Sequence, residues 1–222
     1  MADTILFWGS GSVPCWRPML VLEEKGVKYD SRLISFGNKE HKGPDVMKYN
    51  PRGQVPTFVD GDIVVNESLA ICNYLEYKYS DQGNKLLPTD VKERALVLQR
   101  QYEALNLNKK GIEDIIYKHM RNSPDLQDEE KMKASIQALS DELALWEGYL
   151  QTSGGYIAGK GFTMADVMFF PYVAFFVRMG LQLNKYPNIK NYYDNLVTRP
   201  SVKATWPPHW AESAGKEWLK DA

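Results

Sequence analysis

The spacing of apolar residues changes once along the chain, near residue 82, and this change constrains the fold more than any other feature. Before it, short apolar runs at residues 5–8 and 29–36 flank a helical pattern at residues 15–25, which Gly26 ends. Strand, helix and strand in so short a space predict a βαβ unit, whose two strands run parallel.

The remainder of this first part has the pattern of a hairpin followed by a helix. Residues 55–59 form a third apolar run, Asp-Gly-Asp at 60–62 predicts a tight turn, and residues 63–65 return antiparallel. Ser68 is a candidate N-cap for a helix that extends to about residue 79. The prediction is therefore β-α-β followed by β-β-α.

Beyond residue 82 the pattern is helical throughout. Long helices rich in Glu, Lys, Leu and Ala are predicted over residues 90–120, 128–152 and 189–198, the last ended by Pro200. Thr163-x-x-Asp166 precedes an apolar run and predicts a capping box at a further helix start. We expect an α/β domain over residues 1–82 and an all-helical domain over residues 90–222.

Charge and cysteine content exclude several classes of function. Lys and Arg number 27 and Asp and Glu 28, so a net charge of −1 gives no general attraction to nucleic acid or to an anionic membrane. Two cysteines, Cys15 and Cys72, are too few for a disulfide scaffold or a Cys-rich zinc module. With no signal-peptide pattern and no apolar run long enough to span a bilayer, a cytoplasmic location is expected.

The segment NPRGQVPT, residues 50–57, lies just before the third strand. Pro56 either marks the start of the strand or follows a cis peptide bond in a tight turn. In one interpretation the segment is only a structural turn. In the other, Val55 is extended because it precedes a proline, and it presents its backbone N–H and C=O to a ligand. The residues alone favour neither.

Asn66-Glu67-Ser68 lies at the start of a helix, where unpaired N–H groups and the helix dipole favour negative charge. One interpretation is structural, with Ser68 as the cap and Glu67 favouring the dipole. In the other, Ser68 binds a ligand carboxylate while Glu67 accepts from a ligand ammonium group. Local features favour the structural interpretation.

Residues 9–15, GSGSVPC, follow the first strand at the edge of an α/β sheet where ligands collect. The segment has neither the G-x-G-x-x-G spacing nor a P-loop ending, which argues against a nucleotide site. A serine hydroxyl here could donate to an anion. Cys15 is either an activated thiolate near a helix N-terminus or a small buried residue.

These three segments, together with FTMAD at residues 162–166, resemble cytosolic glutathione transferases in order and spacing over nearly the whole chain. Within that family the chain is most similar to the serine-type enzymes, and in detail to the rho class. The zeta, theta and delta classes are the next most similar. The resemblance implies a thioredoxin-like domain followed by an all-α domain. It also implies a cytoplasmic homodimer acting in detoxification of xenobiotics.

The resemblance assigns glutathione, the co-substrate, to the edge of the first domain. The backbone of Val55, before cis Pro56, would pair with its cysteinyl part. The γ-glutamyl end would meet Glu67, Ser68 and Gln54. His41 or Lys42 would be the cation for the glycyl carboxylate, the loosest of these assignments. No metal is implied.

The resemblance also implies that a serine hydroxyl stabilises the thiolate of glutathione rather than attacking the substrate. A thiol pKa of about 8.5 must fall by ~2 units, which corresponds to roughly 2.7 kcal/mol. One hydroxyl donor and the field of a helix N-terminus can supply this. Ser12 is the preferred donor, and Ser10, two residues earlier in the turn, is the alternative.

Small hydrophobic electrophiles would be the second substrate. Their pocket would be lined by Val13, Leu105, Tyr117, Met120, Arg121, Trp206 and Trp210, for most of which ordinary core packing is the competing interpretation. Two other functions remain open. One is a glutathione-dependent thiol transferase or isomerase that uses Cys15, and the other is a ligand-binding relative without activity.

Overall fold

The computed structural model describes residues 4–222, which form two compact units. The first unit comprises the chain up to Leu86 and, from near the C-terminus, residues Arg199–Ser213. The second comprises Leu87–Thr198 and Ala214–Ala222. Residues 199–213 therefore pack with the α/β part of the chain, although they follow the helical part in sequence.

A four-stranded sheet forms the centre of the first unit. Its strands are β1 (Thr4–Gly9), β2 (Asp30–Ile34), β3 (Thr57–Asp60) and β4 (Ile63–Asn66), in the spatial order β2-β1-β3-β4. β1 and β2 run parallel, whereas β3 is antiparallel to both β1 and β4. The predicted βαβ unit and the predicted hairpin are both confirmed, and the sheet has the arrangement of a thioredoxin-like domain.

Helix α1 (Val13–Lys25) connects the two parallel strands. The Ser12 side chain caps its start, and Gly26, with φ of 63°, ends it as predicted. The helix begins two residues before the predicted start because Ser12 is a good cap and Pro14 suits the first turn. Pro18 consequently lies inside the helix.

The peptide bond between Val55 and Pro56 is cis, which is the second of the two interpretations that the sequence left open for this proline. A short helix α2 (Pro44–Met47) precedes the loop that leads to it. Strand β3 begins directly after Pro56, at Thr57.

Helix α3 (Ser68–Lys78) begins at Ser68, which is its first helical residue and not its N-cap. The prediction of Ser68 as the cap is wrong because its hydroxyl faces another partner, the guanidinium of Arg17. Glu67 occupies the cap position with φ of 70°, in the left-handed region, and its side chain makes no capping hydrogen bond.

Two apolar clusters hold the first unit together. Phe7, Ile34, Val46 and Val59 form one buried cluster, and Val55 packs against it. Helices α1 and α3 pack against each other with buried leucine, isoleucine and valine side chains. Burying such side chains stabilises a fold by roughly 1.5–3 kcal/mol each.

A tryptophan cluster attaches residues 199–213 to the first unit. Trp16, Trp206 and Trp210 meet edge to face, with ring centroids 5.4, 5.6 and 5.5 Å apart. The indole N–H of Trp16 also donates to Thr205 Oγ1 at 2.7 Å. The segment contains helix α10 (Pro200–Ala204) and a helical turn at Pro208–Trp210, so Pro200 begins a new helix.

The carboxylate of Glu24 makes a second attachment. Arg199 donates to it from Nε and from a terminal nitrogen, both at 2.6 Å, and Ser201 Oγ and Asn84 Nδ2 also donate. Burial by itself would raise the pKa of the Glu24 carboxyl. The hydrogen bonds and the charge of Arg199 outweigh burial and hold that pKa below its usual value.

The second unit is entirely helical among its described elements. They are α4 (Val91–Glu103), α5 (Leu105–Leu107), a π-helical stretch (Asn108–Ile116), α6 (Tyr117–Met120), α7 (Glu129–Ser153), α8 (Met164–Arg178), α9 (Pro187–Leu196) and two short 3-10 helices (Pro124–Gln127 and Leu183–Lys185). The predicted helix over residues 90–120 is thus divided by a turn at Ala104 and contains a nine-residue π segment. Gly111 permits this packing, because a Cβ there would lie 2.3 Å from the ring of Phe176.

The predicted capping box at the start of α8 is confirmed. Thr163 N–H donates to the carboxylate of Asp166 at 2.8 Å, and the two residues exchange capping bonds. Burial raises the pKa of Asp166 to about 6, against hydrogen bonds that lower it. Trp146 stacks on Phe169 with centroids 4.3 Å apart, in the core of this unit.

Across residues 4–222, no helix combines the length and the apolar character that crossing a bilayer requires.

Replacing Glu24 should destabilise the protein in a pH-dependent way. Near pH 7 we expect Glu24→Gln to lower the free energy of unfolding by about 2 kcal/mol, since charge-assisted hydrogen bonds are lost. The carboxylate is the stabilised form, so its contribution is complete above the ordinary glutamate pKa of about 4.3 and disappears as pH falls through the lowered folded pKa. Urea unfolding from pH 7 to pH 3 measures this difference.

The matched control is Asp30→Asn, which removes an exposed ion pair with Arg32. Its effect should stay below about 1 kcal/mol, because exposed pairs are screened by water. A Glu24→Gln effect of equal size at pH 7 and pH 3 would contradict the linkage.

Candidate active site

The strand register brings three separate segments to one edge of the sheet. Phe7 of β1 lies opposite Thr57 of β3, and Thr57 lies opposite Asn66 of β4. The turn at residues 9–12 follows β1, Val55 and Pro56 precede β3, and residues 67–68 follow β4. The three motifs singled out in the sequence therefore converge, which a sequence by itself cannot show.

Ser12 sits at the end of a tight turn and at the start of α1. Its N–H donates to the carbonyl of Gly9 at 3.2 Å, and Gly11 between them has φ of 75°. The Ser12 hydroxyl oxygen accepts the N–H of Cys15 at 3.4 Å. Accepting this bond does not use the hydroxyl proton. The Ser12 side chain also interacts with the neighbouring Cys15 thiol.

Ser10 has a different environment. Its Oγ lies 2.5 Å from Nδ1 of His209, a residue of the C-terminal segment that packs with the first unit. The two candidate serines of the turn thus differ: the hydroxyl of Ser10 is engaged with the imidazole of His209, whereas Ser12 Oγ accepts from the helix backbone and the Ser12 side chain also interacts with the Cys15 thiol.

Cys15 is completely buried, and its Sγ accepts the N–H of Gly9 at 3.4 Å. Burial raises the pKa of its thiol to about 11, although the Ser12 hydrogen bond, the Gly9 hydrogen bond and the charge of Arg17 act in the opposite direction. The structure contradicts the alternative that Cys15 is an activated thiolate. The second thiol, Cys72, is also buried, with a pKa raised to about 12.

The loop before β3 is held in shape by Asn50, a buried residue that the sequence analysis did not single out. Its amide donates to the carbonyl of Gln54 at 2.9 Å, and Thr57 Oγ1 donates to the same carbonyl at 3.0 Å. No hydrogen bond to the backbone of Val55 occurs within residues 4–222. The side chain of Gln54 is exposed and Val55 is half-buried.

Ser68 is buried at the first position of α3, and Glu67 beside it is exposed. The Ser68 hydroxyl accepts from a terminal nitrogen of Arg17 at 3.1 Å, and the guanidinium itself is buried. Sequence reasoning missed Arg17. The sequence does contain an indication, because Arg17 is the one charged residue in an otherwise apolar stretch of α1. Its partner could not be predicted, since Ser68 is 51 residues away.

His41 and Lys42 lie against the loop before β3. Lys42 Nζ donates to the carbonyl of Arg52 at 2.8 Å, and a Cβ on Gly53 would lie 2.7 Å from Lys42 Cδ. His41 Nδ1 is buried and has no hydrogen-bond partner within residues 4–222, and its ring meets Phe36 edge to face. Both side chains are thus placed beside the segment that carries Val55.

The predicted lining of the electrophile pocket falls in both units. Val13, Trp206 and Trp210 belong to the first, where Trp210 Nε1 would be 3.2 Å from a Cβ on Gly11. The other four candidates belong to the second unit and are exposed there: Leu105, Tyr117, Met120 and Arg121. The Arg121 guanidinium lies 5.0 Å from the centre of the Tyr117 ring.

Within the described residues, no group of three or more His, Cys, Asp or Glu side chains could hold a metal ion.

The raised thiol pKa values predict two unreactive cysteines. In the native protein at pH 8, Cys15 and Cys72 should react with an aromatic disulfide reagent at least about a hundredfold more slowly than after unfolding. Two effects slow the reaction of the native protein: the thiolate fraction is small, and the sulfur atoms are inaccessible. The single variants Cys15→Ala and Cys72→Ala assign each rate, and a fast native reaction in Cys72→Ala would contradict the burial of Cys15.

Comparison with known proteins agrees with this arrangement along the whole chain. Residues 2–77 match the family model described as glutathione S-transferase, N-terminal domain, and residues 113–205 match the glutathione S-transferase, C-terminal domain. Glutathione S-transferase A of Pleuronectes platessa is 49% identical over 222 residues, covering 99% of this chain and 98% of the relative.

Solved structures show the same similarity. A glutathione S-transferase from the Antarctic clam Laternula elliptica superposes with a TM-score of 0.92 at 49% identity, covering 99% of both chains. A delta-class glutathione transferase of Nilaparvata lugens gives a TM-score of 0.76 at 32% identity, covering 93% of this chain and 91% of that one. The chain therefore belongs to the glutathione S-transferase family of enzymes.

Proposed function

We propose that this enzyme conjugates the thiolate of glutathione to small hydrophobic electrophiles and that the Ser12 hydroxyl stabilises the thiolate, as in serine-type enzymes of the rho class. The observation that carries the proposal is the geometry of Ser12. It lies at the edge of the sheet where three candidate binding segments meet, and its oxygen caps α1 through a bond that does not use the hydroxyl proton. The biological role would be detoxification of xenobiotics.

The chemical requirement is a lower thiol pKa on bound glutathione. A hydrogen bond from a hydroxyl to a thiolate strengthens as the sulfur becomes charged. Ser12 precedes the 13 residues of α1, so the positive end of the helix dipole lies at the same point. Both contributions favour the anion, and together they match the roughly 2.7 kcal/mol that a shift of ~2 units requires.

The tripeptide would lie along the edge of the sheet. The backbone of Val55, with no partner within residues 4–222, would pair with the cysteinyl unit beside cis Pro56. The γ-glutamyl end would meet Gln54, Glu67 and Ser68, with the buried charge of Arg17 behind Ser68 adding attraction for a carboxylate. His41 or Lys42 would face the glycyl carboxylate.

The electrophile would contact apolar and aromatic side chains. In the first unit Val13, Trp206 and Trp210 are the proposed contacts; Val13 and Trp210 are buried and Trp206 is half-buried. Leu105, Tyr117, Met120 and Arg121 remain proposals from the sequence. We retain residues 1–82 as the proposed glutathione-binding domain and residues 90–222 as the proposed all-helical domain of the electrophile site.

We further propose a cytoplasmic homodimer. Both cysteines are reduced and buried, which suits a reducing compartment. Three apolar side chains of the first unit are exposed. Ile63 and Val64 lie on the edge strand β4, and Tyr77, which is 68% exposed, lies on α3. Exposed apolar side chains on neighbouring elements favour a protein interface.

The Ser12 assignment predicts a loss of turnover without a loss of binding. Ser12→Ala should reduce kcat for conjugation of 1-chloro-2,4-dinitrobenzene on the order of a hundredfold, the usual effect of removing a donor to a developing anion. The pKa of bound glutathione should rise, and retention on a glutathione column should persist. Steady-state kinetics and an ultraviolet titration of the bound thiolate measure both.

Two controls separate the donor from the helix cap. Ser12→Thr keeps the hydroxyl and should keep most activity, whereas Ser12→Asp keeps a capping oxygen but has no proton to donate and should be inactive at unchanged stability. Ser10→Ala should lose less than tenfold. The assignment is wrong if Ser10→Ala is inactive and Ser12→Ala is not.

The Ser68 assignment predicts a binding defect. Ser68→Ala should raise the KM for glutathione about three- to tenfold, the equivalent of one hydrogen bond of about 1 kcal/mol, with little change in kcat. An analogue that lacks the γ-glutamyl carboxylate should bind Ser68→Ala and the parent protein equally. A KM difference that persists with this analogue would place Ser68 elsewhere in the site.

A further inference from the structure

The contact between Ser10 and His209 joins the turn after β1 to the C-terminal segment. The two atoms, Oγ and Nδ1, lie 2.5 Å apart across 199 positions of sequence. The same imidazole covers Gly11, since a Cβ added there would lie 2.8 Å from His209 Cε1. One side chain therefore contacts both central residues of the turn that ends at Ser12.

The segment that carries His209 is itself firmly attached to the first unit. The tryptophan cluster and the hydrogen bond from Trp16 to Thr205 precede the histidine in sequence. A helical turn at Pro208–Trp210 contains the histidine, and the carbonyl of His209 accepts from Ser213 Oγ at 3.0 Å. The tryptophan cluster and the Trp16–Thr205 bond thus hold the segment that presents the imidazole to the turn.

We infer that His209 is a positioning residue of the thiolate site. It holds the turn through Ser10, so that the Ser12 hydroxyl stays oriented toward the sulfur of glutathione. This inference rests on the proposed function of Ser12. The turn needs such a support because Gly11, with φ of 75°, is conformationally permissive, and only one backbone hydrogen bond, from Ser12 N–H to Gly9, closes it.

The hydrogen bond works in either direction, because a serine hydroxyl and an imidazole nitrogen can each donate or accept. The requirement at position 209 is therefore a polar atom at the place of Nδ1. An asparagine amide puts a polar atom close to that place, whereas a glutamine amide reaches the place of Nε2. Asparagine does not titrate, so it separates the hydrogen bond from charge.

His209→Phe keeps a flat ring over Gly11 and next to Trp210 but removes the polar atom. We expect kcat for conjugation to fall about three- to tenfold, the usual effect of one hydrogen bond. The pKa of bound glutathione should rise, while its Kd should change less than about twofold, because its other proposed contacts lie on different segments. His209→Asn should restore kcat and the thiol pKa, and His209→Gln should not.

Ser10→Ala tests the other partner of the same bond. It should reproduce His209→Phe, and the double variant should be no worse than either single one, since both remove one interaction. The matched control is Ser213→Ala, which removes a contact of the same segment to the His209 carbonyl and should leave kcat unchanged.

Hydrogen exchange of the amides of residues 9–12 gives a readout that needs no activity. Exchange should quicken in His209→Phe and Ser10→Ala and return to the parent rate in His209→Asn. Unchanged exchange in His209→Phe overturns the inference, and so does a His209→Asn variant as defective as His209→Phe. A changed KM for the electrophile with an unchanged thiol pKa assigns His209 to the electrophile instead.

The inference and the proposed function fail in different ways. If Ser12→Ala retains full activity while the exchange pattern holds, Ser12 is not the thiolate donor, and His209 organises a turn without that catalytic consequence. If Ser12→Ala is inactive and His209→Phe is fully active with a normal thiol pKa, the donor assignment stands and the positioning role of His209 is wrong.

Discussion

The alignment of three strands at one edge of the sheet is the constraint on which the candidate site depends. Phe7, Thr57 and Asn66 lie side by side, and the register of an antiparallel pair cannot slip by one residue without moving its buried side chains to the other face. The apolar cluster that includes Phe7 and Val59 therefore fixes the register. By fixing the register, the core also fixes where the turn after β1, the loop before β3 and the start of α3 meet.

Positive charge in the first unit is placed locally, close to this edge of the sheet. A chain of net charge −1 has no general attraction for an anionic tripeptide. Arg17 is buried next to Ser68, and α1 and α3 both begin at this edge, where the positive ends of their dipoles lie. Both of the protein's own thiols are buried with raised pKa values, so the nucleophilic sulfur must come from the substrate.

Local features of the sequence predicted the parts of this structure that local physics determines. The βαβ unit, the Asp-Gly-Asp hairpin and the Thr163–Asp166 capping box each depend on residues close together in the chain, and each was predicted correctly. The motifs of the edge were found for the same reason, because each is a short segment with unusual turn residues.

Contacts between distant residues were beyond that reasoning. Ser68 was taken for a helix cap because its true partner, Arg17, is 51 residues away. The attachment of residues 199–213 to the α/β unit depends on Trp16 and Glu24, and no periodicity relates those positions. Nothing in the sequence around His209 indicates its contact with Ser10, which is 199 positions away.

Under the proposed function, the residue at position 12 meets a structural and a chemical demand. Asp, Asn and Ser cap a helix about equally well, so capping does not require serine. Aspartate caps with an ionised oxygen and has no proton, and in asparagine the donors sit on the nitrogen, away from the capping oxygen. Serine caps and donates with one atom, so the group bonded to the Cys15 N–H can also face an anion at the helix N-terminus. A hydroxyl at this position therefore meets both demands where the other good caps meet one.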